Sequence, residues 1–468
     1  MALVETRSID YVPLAERRGK VRHLWPIWFT GDAHLATLAT GAISVAAGLD
    51  LFWSSLAVIG GCVLGTVLMA FHCSQGPHLG LPQMIQSRPQ FGYLGALLVW
   101  VVALVTYIGF NALNQSLAAS TVKELVGLPE GPTVIAFAVL AVLIAAIGYD
   151  LIHKAQRVLA YLMLAVLAVY TAGFFSIVDF STLLRPGVFK PSLFLVQFFA
   201  AAGYQLSWSI YVSDYSRYLP REVGIRASFL WTFFGAFIGG AWMMLVGAFA
   251  AAAFANTDIV VALRDSADAM FGGFGAIMLI SSFGGLVTIT SLNLYGSSLT
   301  LLSVIDSIRP IRLGIASRVL SLGIVFAASL SLSLAMSGNV LHAFEAFLGV
   351  LVYLFTPWTA INLVDFFFVR KGRYSIRAMF MADGLYGRWN WRGLVSYFGG
   401  FIAMIPFFRT EIYTGPVAQA LGGADISMLI GLPVSALVYL LLHRGVDLSA
   451  EQAQIAELDR NLETEPVR

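Results

Sequence analysis

Five stretches of this chain, 89–122, 158–178, 191–213, 227–257 and 269–305, contain no Asp, Glu, Lys or Arg. Each reaches the roughly 20 residues that a helix needs to cross about 30 Å of hydrocarbon. Shorter apolar runs fill the intervals. Together they predict twelve membrane-spanning helices, at about 24–49, 53–73, 91–121, 132–149, 157–178, 193–219, 228–253, 274–304, 313–334, 340–368, 394–413 and 426–443. The alternating segments of about ten residues that build a membrane β-barrel are absent, so the expected class is an all-α polytopic membrane protein. The dip between 250 and 270, with Asp258, Arg264, Asp265 and Asp268, reads as a loop.

Composition strengthens that reading. Of the 468 residues, 58% are hydrophobic and 12% charged, against about 25% charged in a soluble domain. Charge placement adds sidedness. With the N-terminus in the cytoplasm, an even number of spans returns the C-terminus to the same side. Of the 28 Lys and Arg, only Lys123, Arg185, Lys190, Arg264 and Arg409 then face outward. This follows the positive-inside rule and places a multi-pass protein in the cell inner or plasma membrane with both termini cytoplasmic. The basic opening Arg17-Arg18-Gly-Lys20-Val-Arg22 is expected to meet anionic headgroups, making membrane lipid a partner and nucleic acid none. No cleavable signal is evident, and Cys62 and Cys73 are expected to be packed thiols. Residues 446–468 read as a flexible tail or a short surface helix.

Several spans carry more polarity than lipid contact requires. The first contains Trp28-Phe-Thr-Gly31-Asp32-Ala33-His34 and continues through Ala36 to Gly41. An ionised Asp at the bilayer centre costs about 2.5–3.5 kcal/mol on insertion scales, so Asp32 is expected to be paired, neutralised or close to the interface. His34 suits either a structural hydrogen bond or a ligand contact. The third span offers Phe110, Asn111, Asn114 and Gln115, amides that read a heterocycle's edge or glue helices together. In the sixth, Gly203 permits local unwinding, Gln205 and Ser207 offer polar edges, and Trp208 offers a face for stacking. The eighth has Gly284-Gly285, Thr288 and Asn293, a hydroxyl-rich stripe with glycine breaks that suits either an oxygen-ligated cation or close packing. Discontinuous helices of this kind line protected cavities in transporters.

After Trp208 the chain reads Ser-Ile-Tyr211-Val-Ser-Asp214-Tyr215-Ser-Arg217-Tyr218-Leu-Pro220. Asp214 and Arg217 lie three residues apart, the spacing of a gate latch or of an interfacial cap and salt bridge. Tyr211, Tyr215 and Tyr218 fit an aromatic interface band. The chain has no long soluble catalytic domain, phosphate loop or Cys/His metal cluster, so an enzyme is not expected, nor are cofactors or an obligatory protein partner. A channel or passive receptor is the competing class.

At these residues the sequence resembles the nucleobase:cation symporter-1 family, especially its purine and cytosine permease branch. The similarity covers about residues 10–440 and rests on five motifs in order: Trp28 to Asp32, Gly80 to Gly92, Gly148-Tyr149 through His153, Trp208 to Pro220, and Asn293-Leu-Tyr295-Gly-Ser. The resemblance implies a fold like that of sodium-coupled amino-acid transporters, a 5+5 inverted repeat plus two helices. Its segments would be a cytoplasmic segment at 1–23, repeats at 24–178 and 193–369, a cytoplasmic loop at 370–393, two further helices at 394–443 and a cytoplasmic tail at 444–468. A bundle of spans 1, 2, 6 and 7 would face a scaffold of spans 3, 4, 8 and 9. The substrate implied is a nucleobase or related small heterocycle, cytosine or a purine first. Uracil, allantoin or a hydantoin with sodium coupling is the alternative. Trp208 and Phe110 would stack on it, and Asn111, Asn293, His34 and Gln205 would satisfy its polar edge. The monovalent coupling cation is expected to be H+ through Asp32 or His34. Na+ is the second reading, with Thr288 and the carbonyls of Ala33 and Ala36 as ligands. Val287 replaces a hydroxyl beside Thr288 and weakens that site.

Overall fold

The structure is a computed structural model and describes residues 10–147, 149–177, 179, 181, 185–254, 258–309, 311, 314–336 and 340–465. Its helices are α1 Leu24–Gly31, α2 Leu35–Ala46, α3 Leu51–Cys73, α4 Gln75–Leu79, α5 Arg88–Phe91, α6 Leu97–Val126, α7 Glu130–Ile147 and α8 Tyr149–Ile177. They continue as α9 Pro191–Ser207, α10 Val212–Ser216, α11 Gly224–Ala253, α12 Ile259–Met270, α13 Phe274–Ile308, α14 Ile315–Ala335, α15 Val340–Val364, α16 Trp391–Met404, α17 Pro416–Ala420, α18 Ser427–His443 and α19 Leu448–Leu458. Among the described residues, seven helices are individually long and apolar enough to cross a membrane. Gly148, within one of the five motifs, and the expected span ends at 178 and 313 lie outside the described residues.

The first expected span is divided. Between α1 and α2, Asp32, Ala33 and His34 leave the helix, and His34 is fully extended at φ −153°, ψ 167°. The sixth is also interrupted, but not at Gly203. That glycine sits inside α9 because its bare face receives the Val352 side chain and the Leu348 carbonyl of α15. Unwinding comes later, through a 3-10 turn at Trp208–Ile210 and Tyr211 at φ −140°, before α10 resumes. The expected glycine break in the eighth span is absent. α13 runs uninterrupted for 35 residues, with both Gly284 and Gly285 inside it.

Two packed groups surround these breaks. In one, α3 packs on α9, and α11 packs on α1, α2 and α3. In the other, α6 packs on α7, α13 and α14, while α8 joins through α13. The first group is held by backbone contact rather than by large side chains. Gly61 and Gly65 of α3, a small-xxx-small pair, lie against the Phe198 and Ala202 carbonyls of α9. Gly41 of α2 lies against the Met244 carbonyl and Gly247 of α11 against the Leu38 carbonyl. A Cβ at any of them would overlap a neighbouring backbone oxygen, so glycine is what allows the close approach. Replacing Gly65 by leucine should lower the melting temperature of the purified protein through overpacking of at least about 1–3 kcal/mol. An unchanged melting curve would show that α3 and α9 are not in close register.

The described N- and C-terminal segments meet at one end of the molecule, and there the tail is fastened. Tyr11 Oη donates to Glu463 Oε1 at 2.6 Å and the Leu14 amide to Glu463 Oε2 at 2.9 Å. Val12 N bonds the Gly80 carbonyl, and Arg17 reaches the Pro77 carbonyl, tying the N-terminal segment to α4 and the glycine that ends it. In place of a loose tail, α19 docks on the loop after α15, where Arg370 Nε donates to Glu451 Oε1 at 2.8 Å. Ile376 N and Ser375 Oγ donate to Asp459 just beyond α19. Behind them Asp365 is fully buried and accepts from Arg370, Tyr439, Tyr374 and Gln90. Both cysteines are buried free thiols.

Candidate functional site

The two helix breaks face one small cavity. It is lined by His34 from the first break, by Thr106, Tyr107, Phe110 and Asn114 of α6, by Tyr204, Ser207, Trp208 and Tyr211 at the second, and by Ile289 and Asn293 of α13. Its volume is about 20 Å3, enough for about one water. Aromatic edges fill the rest. Trp208 meets Tyr204, Tyr211 and Trp28 edge to face at centroid distances of 6.3, 5.7 and 6.0 Å. Phe110 meets Tyr204 in the same way at 5.6 Å, and Tyr107 stacks on Tyr211 at 5.7 Å. Such pairs contribute about 0.5–1.5 kcal/mol each beyond burial, a modest barrier to separating the rings around a planar guest.

Of the expected contact residues, Trp208, Phe110, His34 and Asn293 line this cavity together. Asn111 and Gln205 do not. Asn111 is fully buried one residue after Phe110, and its amide meets no hydrogen-bond partner among the described residues. Gln205 points into the group of helices containing α11, where its Nε2 donates to Asp32 Oδ2 at 3.2 Å and lies 3.5 Å from the Ala236 carbonyl. Asp32 therefore sits behind the cavity wall rather than on it. Gly240 of α11 makes room for the Gln205 amide beside that carboxylate.

Of the residues expected to hold a cation, Asp32, Ala33 and His34 form the first break, Ala36 follows in α2 and Thr288 lies on α13. Thr288, 7% exposed, donates its hydroxyl to the Gly285 carbonyl at 2.9 Å, leaving its oxygen lone pairs unused. The Ala36 carbonyl accepts from Thr40 Oγ1 at 2.9 Å. Ala33 lies in the non-helical turn and its amide bonds the Thr30 carbonyl. Among the described residues no three His, Cys, Asp or Glu side chains are grouped to hold a metal ion.

Asp214 and Arg217 sit away from the cavity, with contacts that reach other elements. Asp214 Oδ1 accepts the Gln83 amide at 2.9 Å, and Arg217, only 2% exposed, reaches the Asp10 carbonyl at 3.2 Å and Tyr218 Oη at 3.2 Å. The interface-band reading of Tyr211 is corrected. The break turns its ring inward, where burial against Trp208 and Tyr107 replaces the lipid interface. Sequence reasoning passed over Tyr204, Thr106 and Tyr107. Their spacing held a usable signal, since residues three or four positions before Trp208 and Phe110 share one helical face with them.

A larger cavity of about 560 Å3 opens at the end away from the termini, lined in part by Ala39, Leu113, Ser120, Lys123, Asp258 and Leu341. α6 contributes to both cavities, Thr106, Phe110 and Asn114 lining the smaller and Leu113, Ser120 and Lys123 the larger.

Comparison with known proteins fits this geometry. Residues 11–431 match the family described as permease for cytosine/purines, uracil, thiamine, allantoin. The chain is similar to the putative purine-cytosine permease YxlA of Bacillus subtilis, 38% identical over 94% of this chain and 96% of that one. It is also similar to the purine-cytosine permease fcyB of Emericella nidulans, 23% identical over 94% and 88%. Among solved structures, the inward-facing conformation of Mhp1 superposes with a TM-score of 0.75 at 18% identity over 98% of both chains. Mhp1, a nucleobase-cation-symport-1 family transporter, in a closed conformation with bromovinylhydantoin bound gives 0.73 at 16% over 99% of both. With an all-α fold of that kind and a match spanning nearly its whole length, the chain belongs to the family of permeases for cytosine/purines, uracil, thiamine and allantoin.

Proposed function

We propose that this chain is a secondary active transporter that imports a nucleobase or related small planar heterocycle, cytosine or a purine first, by symport with a cation. The observation that carries this reading is the aromatic cavity at the junction of two helix breaks, with the Asn114 and Asn293 amides and His34 among its walls. Trp208 and Phe110 stack on the ring, and those polar groups read its edge. Asn111 and Gln205 lie outside the lining and support the wall. The names of the related purine-cytosine permeases favour the same substrate class.

Import proceeds by rocking α1, α2, α3, α9, α10 and α11 against the helices around α6 and α13, a bundle and a scaffold that each draw helices from both repeats. With both termini cytoplasmic, the 560 Å3 cavity is the outer vestibule, and the fastened terminal segments close the inner end. Asp214 and Arg217 belong to that inner closure through Gln83 and Asp10. Cation and substrate must both favour the occluded state, since equal affinity for both orientations shifts no population.

The coupling cation is H+, carried on Asp32. This carboxylate is buried in the moving group and bonded to a neutral amide, so protonation removes a charge that is costly at depth. The Thr288 hydroxyl favours Na+ as the second reading, with the carbonyls of Ala33 and Ala36 as further ligands. Proteoliposomes given labelled cytosine, adenine, hypoxanthine, uracil and hydantoin under separate H+ and Na+ gradients test both parts. Uptake against a gradient should follow an inward H+ gradient and survive removal of Na+. Sodium dependence without H+ coupling reverses the cation assignment, and uptake that never runs uphill overturns symport.

A further inference from the structure

Three buried side chains on the two broken helices form one hydrogen-bonded row. Thr37 Oγ1 lies 2.6 Å from Tyr204 Oη, and Tyr204 Oη lies 3.2 Å from His34 Nε2. His34 and Tyr204 line the central cavity. His34 is 6% exposed, and its Nδ1 is buried with no hydrogen-bond partner among the described residues. The row is held at both ends by backbone. His34 is the extended residue just before α2, Thr37 lies in its first turn, and Tyr204 projects from α9.

A tyrosine hydroxyl has one proton to give and lone pairs with which to accept. The row therefore has two self-consistent settings. In one, Tyr204 donates to Thr37 and accepts from His34 Nε2–H, which leaves Nδ1 bare and an acceptor. In the other, Thr37 donates to Tyr204, Tyr204 donates to His34 Nε2, and Nδ1 carries the proton and is a donor. Passing between them rotates two hydroxyls and exchanges the imidazole tautomer. No heavy atom has to move, and the net charge is unchanged.

We propose that Thr37, Tyr204 and His34 form a polarity relay that determines specificity, allowing one cavity to take heterocycles with either a ring N–H or a bare ring nitrogen at the edge facing His34. This rests on reading the cavity as a heterocycle site. Amino-substituted rings such as adenine present a bare nitrogen beside the exocyclic group, and oxo-substituted rings such as hypoxanthine present N–H there. A fixed donor or acceptor would reject one of the two, because an unpaired buried polar group carries a desolvation cost. The Asn114 and Asn293 amides, each with a donor and an acceptor, can follow the accompanying change at the exocyclic position. His34 is the contacting residue, and Tyr204 and Thr37 are positioning residues that act through it.

Thr37→Val keeps the shape but removes the proton acceptor that Tyr204 needs in the setting with bare Nδ1. The setting with Nδ1–H survives. In the purified variant, hypoxanthine affinity should fall relative to adenine by about 5- to 150-fold, the range set by an unpaired buried donor. Thr37→Ser keeps the hydroxyl and should keep the wild-type ratio. Nitrogen-15 NMR of His34, assigned by its loss in His34→Gln, reads the tautomer directly in the full-length wild-type protein and needs no folded Thr37 variant. It should show Nδ1 bare with hypoxanthine and protonated with adenine. The same tautomer with both ligands, or an equal fall for both in Thr37→Val, overturns the relay while the heterocycle reading stands. Wild-type protein that binds neither ligand overturns the heterocycle reading and the relay with it.

Discussion

Replacing Trp208 by alanine should weaken heterocycle binding by about 5- to 150-fold, the 1–3 kcal/mol that base–aromatic stacking is worth by alanine substitution. The size of the effect follows from the position of the ring. Trp208 opens the 3-10 turn that ends α9, so its indole sits at a helix break, edge-on to Tyr204, Tyr211 and Trp28. Truncation removes the largest aromatic face on the α9 side of the cavity. It also leaves the tyrosines without their shared partner, and the loss should appear in equilibrium binding to purified protein. Membrane insertion should be little affected, because Trp208 is one of many apolar residues in a run without charges. Unchanged affinity would remove Trp208 from the site. A Trp208→Phe variant keeps a flat ring and should recover most of the loss if stacking is the cause.

The other large effect is expected far from the cavity. Arg370→Ala should destabilise the purified protein by about 3–5 kcal/mol, the usual consequence of leaving one partner of a buried ion pair alone. Asp365 is fully buried, and Arg370 is the cation among its four hydrogen-bond donors. Arg370 also holds Glu451 of α19, so the variant should expose the tail as well as lower stability. Denaturation in detergent measures the first effect, and the rate of proteolysis within 448–465 measures the second. Replacing both members by apolar residues of similar size, Asp365→Leu with Arg370→Met, should restore part of the stability, because the cost lies in the unpaired charge. A melting curve like that of the wild type in Arg370→Ala would show that the network bears little of the fold's stability.

Much of the architecture was legible in the chain. Runs without charges located the helices because an ionised side chain facing lipid is costly and every backbone group there must be satisfied locally. The first break was legible too, since Gly31, Asp32 and His34 are poor company in an apolar helix. Gly203 and Gly284-Gly285 misled for a physical reason. Glycine permits unwinding and close packing alike, and only the partner decides which occurs. At Gly203 the partner is Val352 of α15. Tyr211 looked like an interface residue because Asp214 and Arg217 follow it, while the turn at φ −140° sends it into the cavity.

What the sequence determined by itself is the class of molecule, the approximate place of its helices and the residue types able to grip a heterocycle, because these depend on local composition and period. Which of those residues meet was decided by the tertiary structure. Asn111 and Asn114 share a helix and a chemistry, yet only Asn114 lines the cavity. Gln205 turns to Asp32 although it lies beside residues that face the site. Tyr204, unremarked in the sequence, joins His34 to Thr37. Helical period gives a side chain its direction relative to its own axis. The crossing of packed helices gives that direction its target, and here the crossing is set by glycines against backbone oxygens more than a hundred residues away.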